Sequence, residues 1–300
     1  MLRLNMPNVS INRHDTAAAT LEAGLYVVAT PIGHLGDVSL RALTVLRQAD
    51  VVACEDTRIT RRLLDRYDIT APVVALHAHN EHRRATLLLD RVAAGERVAI
   101  VTDAGTPGVA DPGLLVVRGA RERGLPVQVV PGPSAVLMAL IASGLPPQPF
   151  TFFGFVPARA GERRRALAAW LQIPHTLVLF ESPRRLAASL GDLASIAPTR
   201  PAALCRELTK LHEEVRSGTL AELAAASQAT TVRGEITLVV GPDPGQGSVT
   251  RLPLAAAARQ ALERHPDDPR RALRTAMELS GLPRREVYAA LGAARRGDAD

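Results

Sequence analysis

The stretch Val98-Ala-Ile-Val-Thr-Asp-Ala-Gly-Thr-Pro107 decides how the chain reads. Four apolar residues, Val98–Val101, run without a polar break and stop at Thr102-Asp103-Ala104-Gly105-Thr106-Pro107. A short apolar run closed by Gly and Pro is the pattern of a buried strand that ends abruptly. In open α/β sheets, ligands sit beyond the carboxyl ends of strands. A carboxylate, small hydroxyls and open backbone groups therefore stand where a small molecule is held.

Outward from this stretch the same pattern repeats. Strand patterns at Leu25–Ala29, Val51–Cys54, Val73–Leu76 and Val127–Val130 alternate with helical patterns at Leu40–Ala49, Thr60–Tyr67, Leu87–Val92, 113–123 and 134–142. This alternation predicts βαβ units and a mainly parallel sheet. Gly144-Leu145-Pro146-Pro147-Gln148-Pro149 cannot continue a helix and separates an N-terminal α/β domain, 23–145, from a second, 150–242. The second half is less regular, with strands at Thr151–Val156, Thr176–Phe180, Ala202–Cys205 and Ile236–Val240 and an arginine-rich helix over 161–172. Gly241–Gly247 reads as a hinge. Residues 251–300 hold no strand pattern and read as helices at Leu252–Glu263, Pro269–Ser280 and Arg284–Leu291. Ala276–Leu291 has helix-turn-helix spacing, with a plain helical cap as the alternative. The expected fold class is α/β, two α/β domains followed by a small C-terminal helical segment.

Composition narrows the function. The 300 residues allow about two domains. Their net charge is +6 and the pI about 10.2. Lys210 is the sole lysine, so arginine carries nearly all the positive charge. Arginine favours bidentate contact with phosphate and carboxylate, although an Ala- and Arg-rich chain equally reflects a GC-rich genome. Aromatic residues make up only 3%, which argues against an aromatic stacking platform for RNA. Cys54 and Cys205 have neither zinc nor disulfide spacing. No 18-residue apolar run is present, and residues 1–22 lack the apolar core of a secretory signal. They read as a disordered tail or an alternative start, and the expected location is cytoplasmic.

Several standard sites are missing. There is no P-loop, Gly33-His34-Leu35-Gly36 does not follow the dinucleotide order, and no G-x-S-x-G turn occurs. His77 and His79 would point oppositely on an extended segment and lack a third ligand, so no metal is expected. What does recur is acid plus base at a strand end: Glu55 and Asp56 beside Arg58, Arg61 and Arg62; Glu181 beside Arg184 and Arg185; and Glu207 with Arg206 and Lys210. Taken singly these are solvated charges at helix starts. Their repetition points to a polar cleft between the halves, suited to a ligand with hydroxyls, an amine and a purine.

Nine segments then occur in a fixed order: Leu25–Gly33, Glu55-Asp56-Thr57-Arg58, His79-Asn80-Glu81, Asp103–Pro107 with Asp111-Pro112-Gly113, Pro131-Gly132-Pro133-Ser134-Ala135, Gly154-Phe155-Val156-Pro157, Phe180-Glu181-Ser182, Arg206–Lys210 and Gly234-Glu235. Together they resemble the tetrapyrrole methylase-like group of S-adenosylmethionine-dependent enzymes, and within it the small-subunit ribosomal RNA methyltransferases, over about residues 24–242. The resemblance implies a cofactor, S-adenosyl-L-methionine, folded into the cleft between two α/β domains. It implies that Pro31, Gly33, Asp103, Thr106, Val109, Ser134 and Ala135 touch it from the first domain. From the second it implies Phe180, Leu208, Ile236 and Thr237. His34 and Gly36 depart from the Asn and Ala more usual there.

The implied reaction is 2′-O-methylation of a cytidine ribose in the decoding region of 16S rRNA. The substrate would be the 30S subunit or its precursor, and the enzyme a homodimer. The sulfonium is a good leaving group, so alignment is the main task, with a general base adding about 10²–10⁴-fold. Glu55, Asp56 and Glu81 are the candidate bases, with Lys210 orienting the hydroxyl. RNA contact is expected from Arg58, Arg61 and Arg62, from Arg163, Arg164 and Arg165, and from the basic C-terminal helices. The competing readings are a tetrapyrrole methyltransferase, whose carboxylate-rich substrate would also suit arginine, and a non-catalytic ribosome-assembly protein.

Overall fold

The computed structural model describes residues 20–229, 232–243 and 252–296. Most of the tail expected over 1–22, and residues 244–247 of the expected hinge, lie outside them.

The first lobe runs β1 (Gly24–Val28), α1 (Leu40–Gln48), β2 (Val51–Cys54), α2 (Thr57–Arg66), β3 (Val73–Ala75), α3 (Glu81–Ala93), β4 (Arg97–Ile100), α4 (Leu114–Glu122), β5 (Val127–Val130) and α5 (Ala135–Ala142). Its strands pair in the order β3-β2-β4-β1-β5, all parallel. β1 and β4 are buried on both faces, as uninterrupted apolar runs in a parallel sheet must be. One face of the sheet packs with Leu43 and Leu46 of α1 and Leu64 of α2. The other packs with Leu88 and Leu89 of α3 and Val116 of α4. The connections leaving β1 and β4 diverge to opposite faces, which creates a crevice between their loops. Across it Thr30 N–H donates to Gly105 O at 2.8 Å and Gly105 N–H to Thr30 O at 3.1 Å.

The second lobe runs β6 (Phe150–Phe155), α6 (Ala160–Trp170), β7 (Thr176–Glu181), α7 (Leu186–Ile196), β8 (Pro201–Arg206), β9 (Glu214–Thr219), α8 (Leu220–Ala229) and β10 (Ile236–Val240). Strand order is β6-β7-β10-β8-β9, and only β6 and β7 are parallel. The sequence reading did not include β9, α7 or α8. β9 is Glu-Val-Arg-Ser-Gly-Thr, without apolar alternation, and is held by pairing along its whole length with β8.

α5 joins the lobes. Its Val136, Ala139 and Leu140 share a core with Ile32 from the first lobe and with Val178, Ala203, Cys205 and Val239 of the second sheet. Because β10 runs antiparallel to β7 and β8, its first residues lie beside their last: Thr237 pairs with both Phe180 and Cys205. The ends of both sheets thus face one cleft.

The C-terminal helices are α9 (Leu254–Arg264), α10 (Pro269–Ser280) and α11 (Arg284–Arg296). They enclose a small core of Ala258, Ala261, Ala272, Ala276, Val287 and Leu291. Asp268 caps α10 by accepting from Arg270 N at 3.1 Å and Arg271 N at 3.0 Å. Gly281, at φ 66°, ends it.

Candidate functional site

Two cavities adjoin in the cleft. The first, about 350 Å³, lies between the lobes. From the first lobe it is lined by Ile32, Thr102, Asp103, Ala104, Asp111 and Ala135. From the second come Phe155, Phe180, Glu181, Cys205, Leu208, Glu235, Ile236 and Thr237. The second cavity, about 320 Å³, lies under α2 and is lined by Thr30, Pro31, Gly33, Leu35, Ile59, Thr60, Arg62, Leu63 and Lys210. Ile32, Thr102, Asp103, Ala104 and Glu235 belong to both.

Each wall has a local cause. Phe180 is wedged edge-on against Phe152, centroids 4.9 Å apart, and against Phe155 at 5.5 Å. A bulge between Phe152 and Phe155, at Gly154, puts Phe155 into the cavity. Glu181 is buried, but its carboxylate is fully used: it accepts from Ser182 N at 2.7 Å and from the Ser189 hydroxyl, and it pairs with Arg185 at 2.8 Å.

The loop Arg206–Lys210 closes the cleft and is strained. Glu207 and Thr209 take φ of 52° and 65°, which costs side-chain-bearing residues about 1–3 kcal/mol each. Reciprocal bonds hold it: Glu207 N to Glu235 O at 3.0 Å, and Glu235 N to Glu207 Oε1 at 2.9 Å. Thr209 Oγ1 accepts from His34 N at 3.0 Å and so ties this loop to the first lobe. Gly33 is packed against the same loop. A Cβ there would lie 2.7 Å from Thr209 Oγ1 and 3.0 Å from Leu208 O. The two departures at His34 and Gly36 are coupled. His34 Nδ1 accepts from Gly36 N at 3.1 Å, and a Cβ on residue 36 would come within 2.9 Å of the imidazole.

The candidate bases separate sharply. Asp56 caps α2, and Arg58 grips both its oxygens, at 3.0 and 2.6 Å. Those hydrogen bonds hold its carboxyl down to about 2. Glu81 points away from the cleft's cavities and caps α4, accepting from Gly113 N at 2.8 Å and Leu115 N at 3.2 Å. Glu55 lines neither cavity, and its side chain reaches solvent. Partial burial, then the fields of Asp111, Asp103 and Asp56, push its pKa up. Lys210 lines the second cavity and pairs with Glu207 at 2.9 Å and Glu235 at 3.2 Å. Burial opposes its charge, but these partners outweigh burial and raise its pKa, so the ammonium stays protonated.

Of the positions expected at the cofactor, Asp103, Ala135, Phe180, Leu208, Ile236 and Thr237 line the first cavity, while Pro31 and Gly33 line the second. Thr106, Val109 and Ser134 line neither; Val109 is 54% exposed, and Ser134 sits at the N-cap of α5. Asp111 and Glu235 had not been singled out, although their motifs had. Burial pushes Asp111 up; burial and then the neighbouring Asp56, Asp111 and Glu235 charges push Asp103 up, against the bond from Asp56 N at 3.0 Å.

Among the expected RNA contacts, Arg58 is exposed but paired to Asp56, Arg61 donates to Ala71 O at 3.4 Å, and Arg62 lines the second cavity. Arg164 and Arg165 are exposed on α6. Arg163 is a correction to the expected surface cluster. It shares the inward helix face with Leu167, is 7% exposed and is paired with Asp192 at 2.7 Å, so it belongs to the packing of α6 on α7. Residues 78–80 form a turn, not the extended segment expected, so the His77 and His79 rings meet edge-on at 6.0 Å. Among the described residues no three His, Cys, Asp or Glu are grouped to hold a metal ion, and no helix is long and apolar enough to cross a membrane.

Two parallel-and-mixed sheets facing one cleft through their strand ends define a methylase architecture. Residues 24–224 match the family of Tetrapyrrole (Corrin/Porphyrin) Methylases. The uroporphyrin-III C-methyltransferase of Thermus thermophilus, solved with S-adenosyl homocysteine, superposes with a TM-score of 0.53 at 23% identity, over 73% of this chain and 97% of that one. Diphthine synthase superposes with a TM-score of 0.58 at 18% identity, over 72% of this chain and 89% of that one. These two share the fold, which therefore does not select the methyl acceptor.

Sequence is more specific. Ribosomal RNA small subunit methyltransferase I of Mesorhizobium japonicum is 47% identical over 254 residues, covering 83% of this chain and 86% of that one. The chain belongs to the tetrapyrrole methylase family and, within it, to the ribosomal RNA small subunit methyltransferase I family.

Proposed function

We propose that this protein transfers the methyl group of S-adenosyl-L-methionine to the 2′-hydroxyl of a cytidine ribose in 16S rRNA, acting on the small ribosomal subunit or its precursor. One observation carries the cofactor assignment: the first cavity is short of positive charge. Asp103 and Asp111 line it, their pKa values are raised, and among the described residues neither has a cationic side chain in an ion pair. A ligand bringing a sulfonium and an ammonium relieves that field. The apolar walls of Ile32, Ala104, Phe180, Leu208 and Ile236 suit the adenosine, and the buried Thr102 hydroxyl lies on the same wall beside the Asp111 carboxylate.

When bound, the cofactor supplies an electrophilic methyl. The chain's part is alignment. The latch between His34 and Thr209 fixes the lobes, and Lys210, protonated and held by Glu207 and Glu235, places a positive charge near the reacting oxygen. The relatives' name supports the RNA acceptor, and the exposed Arg164 and Arg165, with the basic helices α10 and α11, suit phosphate. A homodimer is part of the same reading, supported by α5, which leaves Leu137, Met138 and Ile141 at 48%, 44% and 69% exposure.

The test is methyl transfer from labelled cofactor to undermethylated 30S subunits, beside free 16S rRNA and a uroporphyrinogen. The expected result is label in the 16S rRNA of the 30S subunit, recovered after nuclease digestion as 2′-O-methylcytidine. Label on the tetrapyrrole, on a base or nowhere would overturn the assignment.

A further inference from the structure

The cleft holds a second chamber whose near wall shares Pro31, Gly33 and Asp103 with the positions expected at the cofactor, and whose far wall, under α2, carries none of them. It is built for a polar ligand on one side and an apolar ring on the other. Leu35, Ile59 and Leu63 form the aliphatic side. Arg62 is its uncommitted cation: it has no ion pair or hydrogen bond among the described residues, whereas Lys210 is shared between two glutamates. Thr60, 3% exposed, presents a buried hydroxyl that makes no hydrogen bond, although the Cys54 thiol lies beside it. A buried hydroxyl left unsatisfied is costly and marks a place where a ligand completes the bonding. A volume of about 320 Å³ has room for one nucleotide.

We propose that this chamber receives the acceptor nucleotide, unstacked from its RNA strand, with its phosphate at Arg62 and its ribose 2′-hydroxyl at Asp103. The proposal rests on the reading of the protein as an rRNA 2′-O-methyltransferase. Asp103 stands on the wall common to both cavities. One of its oxygens accepts from Asp56 N at 3.0 Å, and the other has no partner among the described residues. The other carboxylates are occupied or misplaced: Asp56 by Arg58, Glu81 by the α4 N-terminus, Glu235 by Lys210, Asp111 on the first cavity alone, and Glu55 outside both cavities. The hydroxyl proton passes to Asp103 as the ribose oxygen bonds the methyl carbon. The electron pair of the broken carbon–sulfur bond stays on sulfur, which becomes a neutral thioether. Asp103 then returns the proton to water. Extruding the nucleotide costs its stacking, and the phosphate contact helps offset that loss.

Three variants test this, with circular dichroism confirming the fold. Ile59 is 42% exposed, so Ile59→Trp fills the chamber without disturbing a core. In the presence of S-adenosylhomocysteine it is expected to bind undermethylated 30S subunits about tenfold more weakly, with calorimetric affinity for S-adenosylhomocysteine unchanged. Arg62→Gln is expected to lower the salt dependence of 30S binding by about one phosphate contact. Asp103→Asn, whose amide oxygen still accepts from Asp56, is expected to bind 30S subunits as the wild type does and to lose about 10²–10³ in single-turnover rate. It should also lose the wild type's fall in rate at acidic pH. Ile59→Trp and Arg62→Gln proteins that bind and methylate like the wild type overturn the chamber's assignment. A wild-type rate in Asp103→Asn overturns its role. A wild-type enzyme that leaves 30S subunits unmethylated overturns instead the functional reading on which the proposal rests.

Discussion

The two ends of strands β2 and β4 are built on opposite electrostatic plans. At their amino ends, Asp50 accepts from the Arg97 backbone at 2.8 Å and from its guanidinium at 2.9 and 2.7 Å, while Arg91 pairs with Glu96. The guanidinium hydrogen bond holds the Asp50 carboxyl down to about 2. At the carboxyl ends of the same strands, a few residues away, Glu55, Asp103 and Asp111 crowd together and their pKa values rise. The amino end is finished: each charge has its partner, and nothing is left for a ligand. The carboxyl end carries unbalanced charge, tolerable where binding and chemistry need a field that the protein has not already cancelled.

The largest expected effect comes from filling the unbalanced end. Ala135→Leu, on the wall of the first cavity, is expected to weaken S-adenosylhomocysteine at least 100-fold by calorimetry; an unchanged affinity would move the cofactor elsewhere. Next is the seam between lobes. Gly33→Ala is expected to destabilise the protein by about 1–3 kcal/mol in urea titration, since a methyl group there would run into the Lys210 and Thr209 side chains and crowd the Leu208 carbonyl. At the paired end, Asp50→Asn is expected to cost about 1 kcal/mol, a bidentate pair near the surface being worth no more, with methyl transfer intact. The pair's stabilisation is present above the unfolded carboxylate value of about 3.9 and is lost as pH falls towards about 2. Asp50→Asn should therefore abolish that part of the acid transition.

The smallest effect has the opposite sign. Native Asp111 holds its proton more tightly than the unfolded chain does, so stability falls as pH rises from the ordinary carboxylate range through its raised native value. Asp111→Asn is expected to raise Tm slightly at neutral pH. A lowered Tm would mean that Asp111 is structurally paired and that the two strand ends do not differ as described.

The sequence made the first lobe readable because parallel strands buried on both faces leave uninterrupted apolar runs, and because their stops, Thr102–Pro107 above all, are punctuated by Gly and Pro. Much of the second lobe was hidden. β9 has no apolar period, and its place follows only from pairing with β8. The cavity residues expected from the resemblance include Ile236 and Thr237, yet only the antiparallel direction of β10 explains why they meet Phe180. Side-chain commitments were not legible either. Nothing in Glu55-Asp56 indicates which acid Arg58 engages, and nothing in His79-Asn80-Glu81 shows that Glu81 caps a helix more than thirty residues away. Arg163 was readable: it lies four residues before Leu167, so a helix turns both inward.

The most direct test of the claim that the carboxyl end awaits a cation is calorimetry in buffers of different ionisation enthalpy, in the weakly acidic range where the raised carboxylates titrate. S-adenosylmethionine, with its sulfonium, should draw these pKa values down and release protons on binding, and S-adenosylhomocysteine, with a neutral sulfur, should release distinctly fewer. Asp103→Asn and Asp111→Asn should narrow that difference. Equal proton release by the two ligands, or proton uptake with S-adenosylmethionine, would contradict the claim.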